Sequence, residues 1–66
     1  MLSARNHLKG IIKSVKLGQV MAEVVLEVGG TEIVALTSRR SAERMGLKEG
    51  DQAAAVMKAT EVMVEK

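Results

Sequence analysis

Four residues near the start of the sequence, Ser3-Ala4-Arg5-Asn6, form a compact cluster of hydrogen-bond donors. A serine hydroxyl, a guanidinium and an amide lie close together, and no carboxylate is near them. Arginine presents a planar set of donors and does not lose its charge in proteins. The cluster therefore suits an anion, while a solvated arm that caps an edge strand is the alternative interpretation and stays open.

Two further segments carry donor groups of the same kind. The first holds three hydroxyl side chains at the start of a predicted helix, those of Thr37, Ser38 and Ser41. These hydroxyls and the unpaired first-turn amides suit an anion, but the local pattern by itself favours simple capping of the helix. The second segment is Lys58-Ala59-Thr60, where the lysine is either an anion ligand or a solvated cation on an outer face.

Alternating apolar and polar residues predict the strands that position these groups. Five strands are predicted, at residues 7–16, 20–28, 31–37, 52–58 and 60–65, with a helix at 38–45. Gly29-Gly30 predicts a two-residue hairpin turn, and Gly46 suits the residue that follows a helix. This order predicts an all-β fold, a five-stranded OB-fold-like Greek-key barrel with one short helix between strands three and four.

Finer expectations follow from the same pattern. Strand one is expected to place Leu8, Gly10, Ile12 and Ser14 on one face, and Ile11 and Val15 on the other. A glycine inside a strand predicts a bend, a bulge or a close approach of another backbone at Gly10. Glu43 is expected in the first turn of the helix, where a carboxylate is favourable.

The composition excludes several classes of protein. The 66 residues form one small domain, 1–66, with no Cys and no aromatic residue, and such a chain commonly gains stability by oligomerisation. A net charge of +2 is too small to indicate a nucleic-acid-binding surface. There is no apolar stretch of membrane-spanning length and no apolar region of a signal peptide, so we expect a cytoplasmic protein without a membrane partner.

Several short motifs occur in a fixed order over about residues 2–65. They are Ser3-Ala-Arg-Asn-x-Leu-x-Gly10, Gly18-Gln-Val-Met-Ala-Glu-Val-Val25, Ala35-Leu-Thr37, Leu47-x-x-Gly50-Asp51, Val56-x-Lys58-Ala59 and Val62-Met63-Val64. In this order they resemble the Mop family, also called molbindins, small proteins related to the TOBE domains of molybdate-responsive regulators and transporters.

The resemblance implies a molybdate- or tungstate-binding protein for intracellular molybdenum storage and homeostasis. It implies an oxyanion site at a subunit interface, within a homohexamer arranged as a trimer of dimers. One chain would supply Ser3, Arg5, Lys58, Ala59 and Thr60, and a neighbour would supply Thr37 and Ser41, with Ser38 beside them. A second, largely main-chain site near a three-fold axis would involve Val20, Met21 and Ala22, together with residues 58–60.

The resemblance implies no directly coordinated metal and no catalytic cofactor, and the residues agree, because no nucleophile, paired carboxylate or phosphate loop stands out. Two other functions remain as alternatives. An OB-type nucleic-acid-binding domain would use aromatic stacking platforms, which this sequence lacks. A purely structural oligomerisation module would assemble in the same way but would gain no stability from an anion.

Overall fold

The computed structural model describes residues 6–66. Its elements, in chain order, are β1 (Asn6–Leu17), β2 (Met21–Val28), β3 (Thr31–Ser38), the helix α1 (Arg39–Met45), β4 (Gln52–Met57) and a 3-10 turn (Ala59–Glu61). The predicted strands one to four and the predicted helix are therefore confirmed, with ends that differ by one residue.

The four strands form one antiparallel sheet in the order β3-β2-β1-β4. Three consecutive strands form a meander, and the fourth returns through α1 to lie beside the first, which is the Greek-key order. The expected all-β, OB-like fold with one short helix is confirmed. The strand count was wrong, because the sheet over residues 6–66 has four strands and leaves β3 and β4 as its two edges.

The predicted fifth strand, residues 60–65, is not a strand. The chain turns after β4, where the Glu61 amide donates to the Lys58 carbonyl at 2.9 Å. Beyond this turn Met63 and Val64 are 94% and 93% exposed. A strand exists only when its backbone pairs with a neighbouring strand, and residues 60–65 pair with no strand of the described chain.

An irregularity in β1 changes which residues face the core. Ile12 pairs with Leu26, but the next paired residue is Ser14, opposite Val25. One extra residue in β1 therefore shifts the alternation, as a β-bulge does. The prediction that Ser14 shares the face of Ile12, with Val15 opposite, was wrong, since Val15 packs against the core cluster.

The core lies on one face of the sheet. Its buried side chains are small or aliphatic: Ile12, Ala22, Val24, Leu26, Ala42 and Ala55. Alternate residues of β2 provide half of this set, as the period-two pattern predicts. Residues of β3, β4 and the α1–β4 connection pack around it, namely Ile33, Ala35, Ala53, Met57 and Leu47. Aliphatic side chains thus fill the core in place of aromatic ones.

Gly10 is needed where β1 passes close to the end of β2. A Cβ atom at this position would lie 2.7 Å from Val28 Cγ2 and 3.1 Å from the Glu27 carbonyl carbon. Real Cβ atoms do not approach other atoms so closely, so the predicted close backbone approach at Gly10 is confirmed. Gly29-Gly30 forms the predicted hairpin turn between β2 and β3.

Lys13, at the irregularity in β1, reaches across the sheet to β3. Its ammonium group donates a hydrogen bond to the Glu32 carboxylate. That hydrogen bond, and then the charge of Glu32, raise the pKa of Lys13. Both side chains are about half exposed, so this pair adds little stability.

Candidate functional site

A group of hydroxyl side chains lies at the junction of β3 and α1. Ser38 is the residue that caps the helix, and its Oγ accepts a hydrogen bond from the Ser41 amide at 3.1 Å. The two hydroxyl groups also share a hydrogen bond, with 2.9 Å between Ser38 Oγ and Ser41 Oγ. This bond uses one of the two hydroxyl protons, so one O–H of the pair stays available to another acceptor. Thr37 is half-buried next to them at the end of β3.

Two sequence expectations for this junction can be compared with the structure. Ser38 alone among the three candidates is the N-cap, while Thr37 is the penultimate residue of β3. Glu43 was expected in the first turn, and this was wrong, because α1 begins at Arg39 and its first turn contains no acidic residue. Glu43 instead faces back along the helix and pairs with Arg39 at 3.4 Å.

The turn between β1 and β2 packs against the same junction. The Val20 carbonyl accepts the Arg39 amide at 2.8 Å, and Met21 pairs with Ser38 across the β2–β3 ladder. Val20 is 74% exposed, whereas Ala22 is only 1% exposed. The side chain of Ala22 is therefore closed to a ligand. The residue that pairs with Ala22 in β3 is Thr37, so residues 20–22 lie beside the hydroxyl side chains at the β3–α1 junction.

Lys58, Ala59 and Thr60 follow β4, and all three are exposed. They lie near the start of β1, because Asn6 pairs with Met57. Ser3 and Arg5 belong to the part of the chain outside the described residues. Of the predicted donor group at this end of the sheet, the structure therefore describes Lys58, Ala59 and Thr60.

The two donor groups lie at opposite ends of the sheet. Lys58 follows the end of β4, where Met57 pairs with Asn6 at the start of β1. The hydroxyl side chains of residues 37, 38 and 41 lie near the other end of β1, where Leu17 pairs with Ala22. β1 has twelve residues, with a register shift between Ile12 and Ser14. Thr37 and Met57, which precedes Lys58 in the chain, nevertheless line one pocket. The two groups are therefore separated along β1, while the sheet curves enough for β3 and β4 to line a common pocket.

A shallow polar hollow of about 560 Å³ lies beside the helix start. Its lining residues are Gln19, Val20, Ser38, Arg39, Arg40 and Glu43. The two arginines stand out in the sequence as an adjacent basic pair. The contacts of Arg39 with the 18–20 turn were not predicted, because that turn and the helix are brought together only by the β2–β3 pairing.

Metal binding and membrane insertion are two further possibilities for the described residues. Within residues 6–66, no three His, Asp or Glu side chains come close enough to hold a metal ion together. In the same part of the chain, no helix has both the length and the apolar character needed to cross a membrane.

Comparisons with known proteins agree with these features. The model of the TOBE domain family matches residues 2–64. Molybdenum-pterin-binding protein 2 of Clostridium pasteurianum is 50% identical over 64 residues, which cover 96% of this chain and 94% of the relative.

Solved structures match as well. A molybdate-binding protein from Sporomusa ovata superimposes with a TM-score of 0.95 at 39% identity, over 100% of this chain and 98% of that one. The cytoplasmic molybdate-binding protein ModG, solved with molybdate bound, matches with a TM-score of 0.84 at 47% identity, over 89% of this chain and 43% of its own. The resemblance that the sequence motifs carry is thus confirmed, and the chain belongs to the TOBE domain family, among the molybdenum-pterin-binding (Mop) proteins.

Proposed function

We propose that this chain binds molybdate, or tungstate of the same shape, and that it stores and buffers the oxyanion in the cytoplasm without catalysing a reaction. Its relatives support this proposal, since they are named for binding molybdate or molybdenum-pterin and one of them is described as cytoplasmic. The whole of residues 1–66 serves as a single oxyanion-binding domain in this proposal.

The observation that carries the proposal is a pair of donor groups beside opposite ends of β1, one after β4 and the other at the β3–α1 junction. The first, which we call the lysine group, consists of Lys58, Ala59 and Thr60, and the resemblance to the Mop family adds Ser3 and Arg5 to it. The second, the hydroxyl group, consists of Thr37, Ser38 and Ser41. We propose that the lysine group of one chain and the hydroxyl group of a neighbouring chain bind one anion together, as the resemblance to the Mop family implies.

The chemistry of the two groups suits a fully deprotonated tetrahedral anion. Molybdate has four acceptor oxygens and no proton to donate, so every contact must come from a donor. One O–H of the Ser38–Ser41 pair is free to donate, and Lys58 supplies an exposed ammonium group. Each hydrogen bond to a charged group contributes about 1.5–3 kcal/mol, so a few of them offset the cost of association. Monohydrogen phosphate needs an acceptor for its proton, and neither group contains a carboxylate.

Exposed apolar surface supports assembly into a homo-oligomer, for which we propose the family's hexamer, a trimer of dimers. Val34 and Leu36 on the edge strand β3 are 59% and 70% exposed. Met63 and Val64 near the C-terminus are exposed still further. Unpaired edges and apolar segments of this kind are usually covered by a partner. Residues 62–66 would pair with an edge strand of another copy and so form the strand that their alternation predicts.

We also propose a second, weaker anion site of main-chain amides near a three-fold axis, with contributions from residues 20–22 and 58–60. Val20 and Met21 are exposed enough to meet a neighbouring chain. Ala22 would take part through its backbone alone, since its side chain is buried.

Native mass spectrometry tests the proposed function directly. The purified protein is titrated with molybdate, and in parallel with tungstate, sulfate and phosphate. We expect a closed oligomer that takes up several molybdate or tungstate ions and neither of the others. An oligomer that gains no oxyanion would refute the storage proposal and favour a purely structural assembly module.

A mixing experiment tests whether each site is shared between chains. One variant carries Lys58→Ala with Arg5→Ala, and the other carries Thr37→Val with Ser41→Ala. Each variant alone should bind molybdate weakly. After unfolding and refolding together in equal amounts, roughly a quarter of the sites should combine two intact halves and bind normally. No recovery in mixed oligomers would show that both groups act within one chain or that one of them is not part of the site.

A further inference from the structure

The Arg39 side chain connects the first turn of the sheet to the helix. Its Nη1 donates to the Gly18 carbonyl at 3.2 Å, and its Nε lies 3.4 Å from Glu43 Oε2. Its backbone amide donates to the Val20 carbonyl at 2.8 Å. One residue therefore contacts both ends of the 18–20 turn, and its guanidinium is held from the other side by a carboxylate on α1.

The turn that Arg39 contacts has little freedom of its own. Gly18 donates its amide to the Met21 carbonyl at 2.7 Å. A Cβ atom at Gly18 would lie 2.8 Å from that same carbonyl oxygen, so a larger residue would push the turn open. Among the described residues, the Arg39 guanidinium is the group that bonds to the Gly18 carbonyl. The Arg39 guanidinium thus adds a second link between this turn and α1, beside the backbone hydrogen bond from the Arg39 amide to the Val20 carbonyl.

Arg40 is next in sequence but differs in its surroundings. It is exposed, and within residues 6–66 it makes no side-chain hydrogen bond or ion pair. The two arginines carry the same charge within one residue of each other. A comparison of the two separates the effect of charge from the effect of contacts.

We propose that Arg39 is a positioning residue for the anion site, through its hold on the 18–20 turn and on the start of α1. This inference rests on the proposed function, which assigns Ser38, Ser41 and Val20 to anion binding. The guanidinium is directed at acceptors of its own chain, so its effect on the anion is indirect. Groups that are already fixed lose less conformational entropy when a ligand binds, which raises affinity.

The test compares Arg39→Gln with Arg40→Gln, which remove the same charge at neighbouring positions. Molybdate affinity is measured by isothermal titration calorimetry on the assembled protein. We expect affinity to fall about tenfold for Arg39→Gln, as for one lost hydrogen bond to a charged group, and by less than about twofold for Arg40→Gln. Arg39→Lys retains one donor and should recover part of the loss, which a general loss of folding would not allow.

Amide hydrogen exchange without any anion provides an independent readout. The Gly18 and Arg39 amides should exchange several-fold faster in Arg39→Gln, and at the normal rate in Arg40→Gln. Equal affinity in the two glutamine variants, or unchanged exchange at both amides, would overturn the inference. If the unaltered protein binds no molybdate, the proposed function fails, and exchange rates still decide whether Arg39 holds the turn.

Discussion

Ile11 and Ile12 are adjacent in β1, so the same substitution to alanine at each position compares the core face of the sheet with its opposite face. Ile12 is 1% exposed and belongs to the core cluster, whereas Ile11 is 43% exposed on the opposite face. Isoleucine to alanine removes three carbon groups, each contributing about 0.8 kcal/mol when buried. At Ile12 the cavity left behind adds to this loss, so we expect a cost of about 3 kcal/mol. At Ile11 roughly half of the transfer contribution applies, about 1 kcal/mol.

The expected difference of about 2 kcal/mol is large for this chain, and it corresponds to roughly 10 °C in the thermal midpoint of so small a domain. Without tryptophan or tyrosine, unfolding is best followed in urea by far-ultraviolet circular dichroism. The loss of strand propensity is shared by both variants and cancels in the comparison. Equal losses that persist over a wide range of dilution would refute the reasoning, because the face of Ile11 would then pack within the chain itself rather than against a neighbour.

Three other changes have defined outcomes. Gly10→Ala should cost about 1–3 kcal/mol in urea unfolding, since the new methyl group meets Val28 and the backbone beside it, and a cost near zero would contradict the close approach. Ser38→Ala should cost about 1 kcal/mol through the lost helix cap, whereas Ser38→Asp should keep the cap but weaken molybdate binding in calorimetry. Glu32→Gln should lower the pKa of Lys13 in an NMR titration. The pKa of Lys13 is higher in the folded than in the unfolded protein. The stability that the pair adds is therefore fully present below the unfolded pKa of about 10.4 and is lost as pH rises through the folded pKa. The difference in unfolding free energy between Glu32→Gln and the unaltered protein should shrink over that range.

Much of the sheet could be predicted because its strands follow a simple alternation. In β2 alternate residues from Ala22 to Leu26 are buried as expected. The alternation failed in β1, where an extra residue moved Val15 onto the core face. A bulge depends on how two strands pair, and neither strand shows it alone.

Predictions that depend on distant parts of the chain were less successful. The alternating residues 60–65 indicated a strand, but the sequence cannot show which edge such a strand would join. Glu43 was misplaced because the helix starts directly after its cap at Ser38, which makes Glu43 the fifth residue of the helix and places it beyond the first turn. Donor groups of the site were visible as residue types, while the contacts of Arg39 with the 18–20 turn arise from strand pairing and leave no signal in the sequence.

The order of strands in the sheet also bears on how the chain folds. β1, β2 and β3 are joined by short turns, so their pairing involves residues close in sequence. β4 must instead find β1 across most of the chain, with Asn6 beside Met57. Closing so long a loop is slow and costs more entropy, so β4 should join last and detach first. An anion held by Lys58, just past β4, would therefore fasten the part of the molecule that opens most readily, and loading with molybdate should slow unfolding more than it speeds folding.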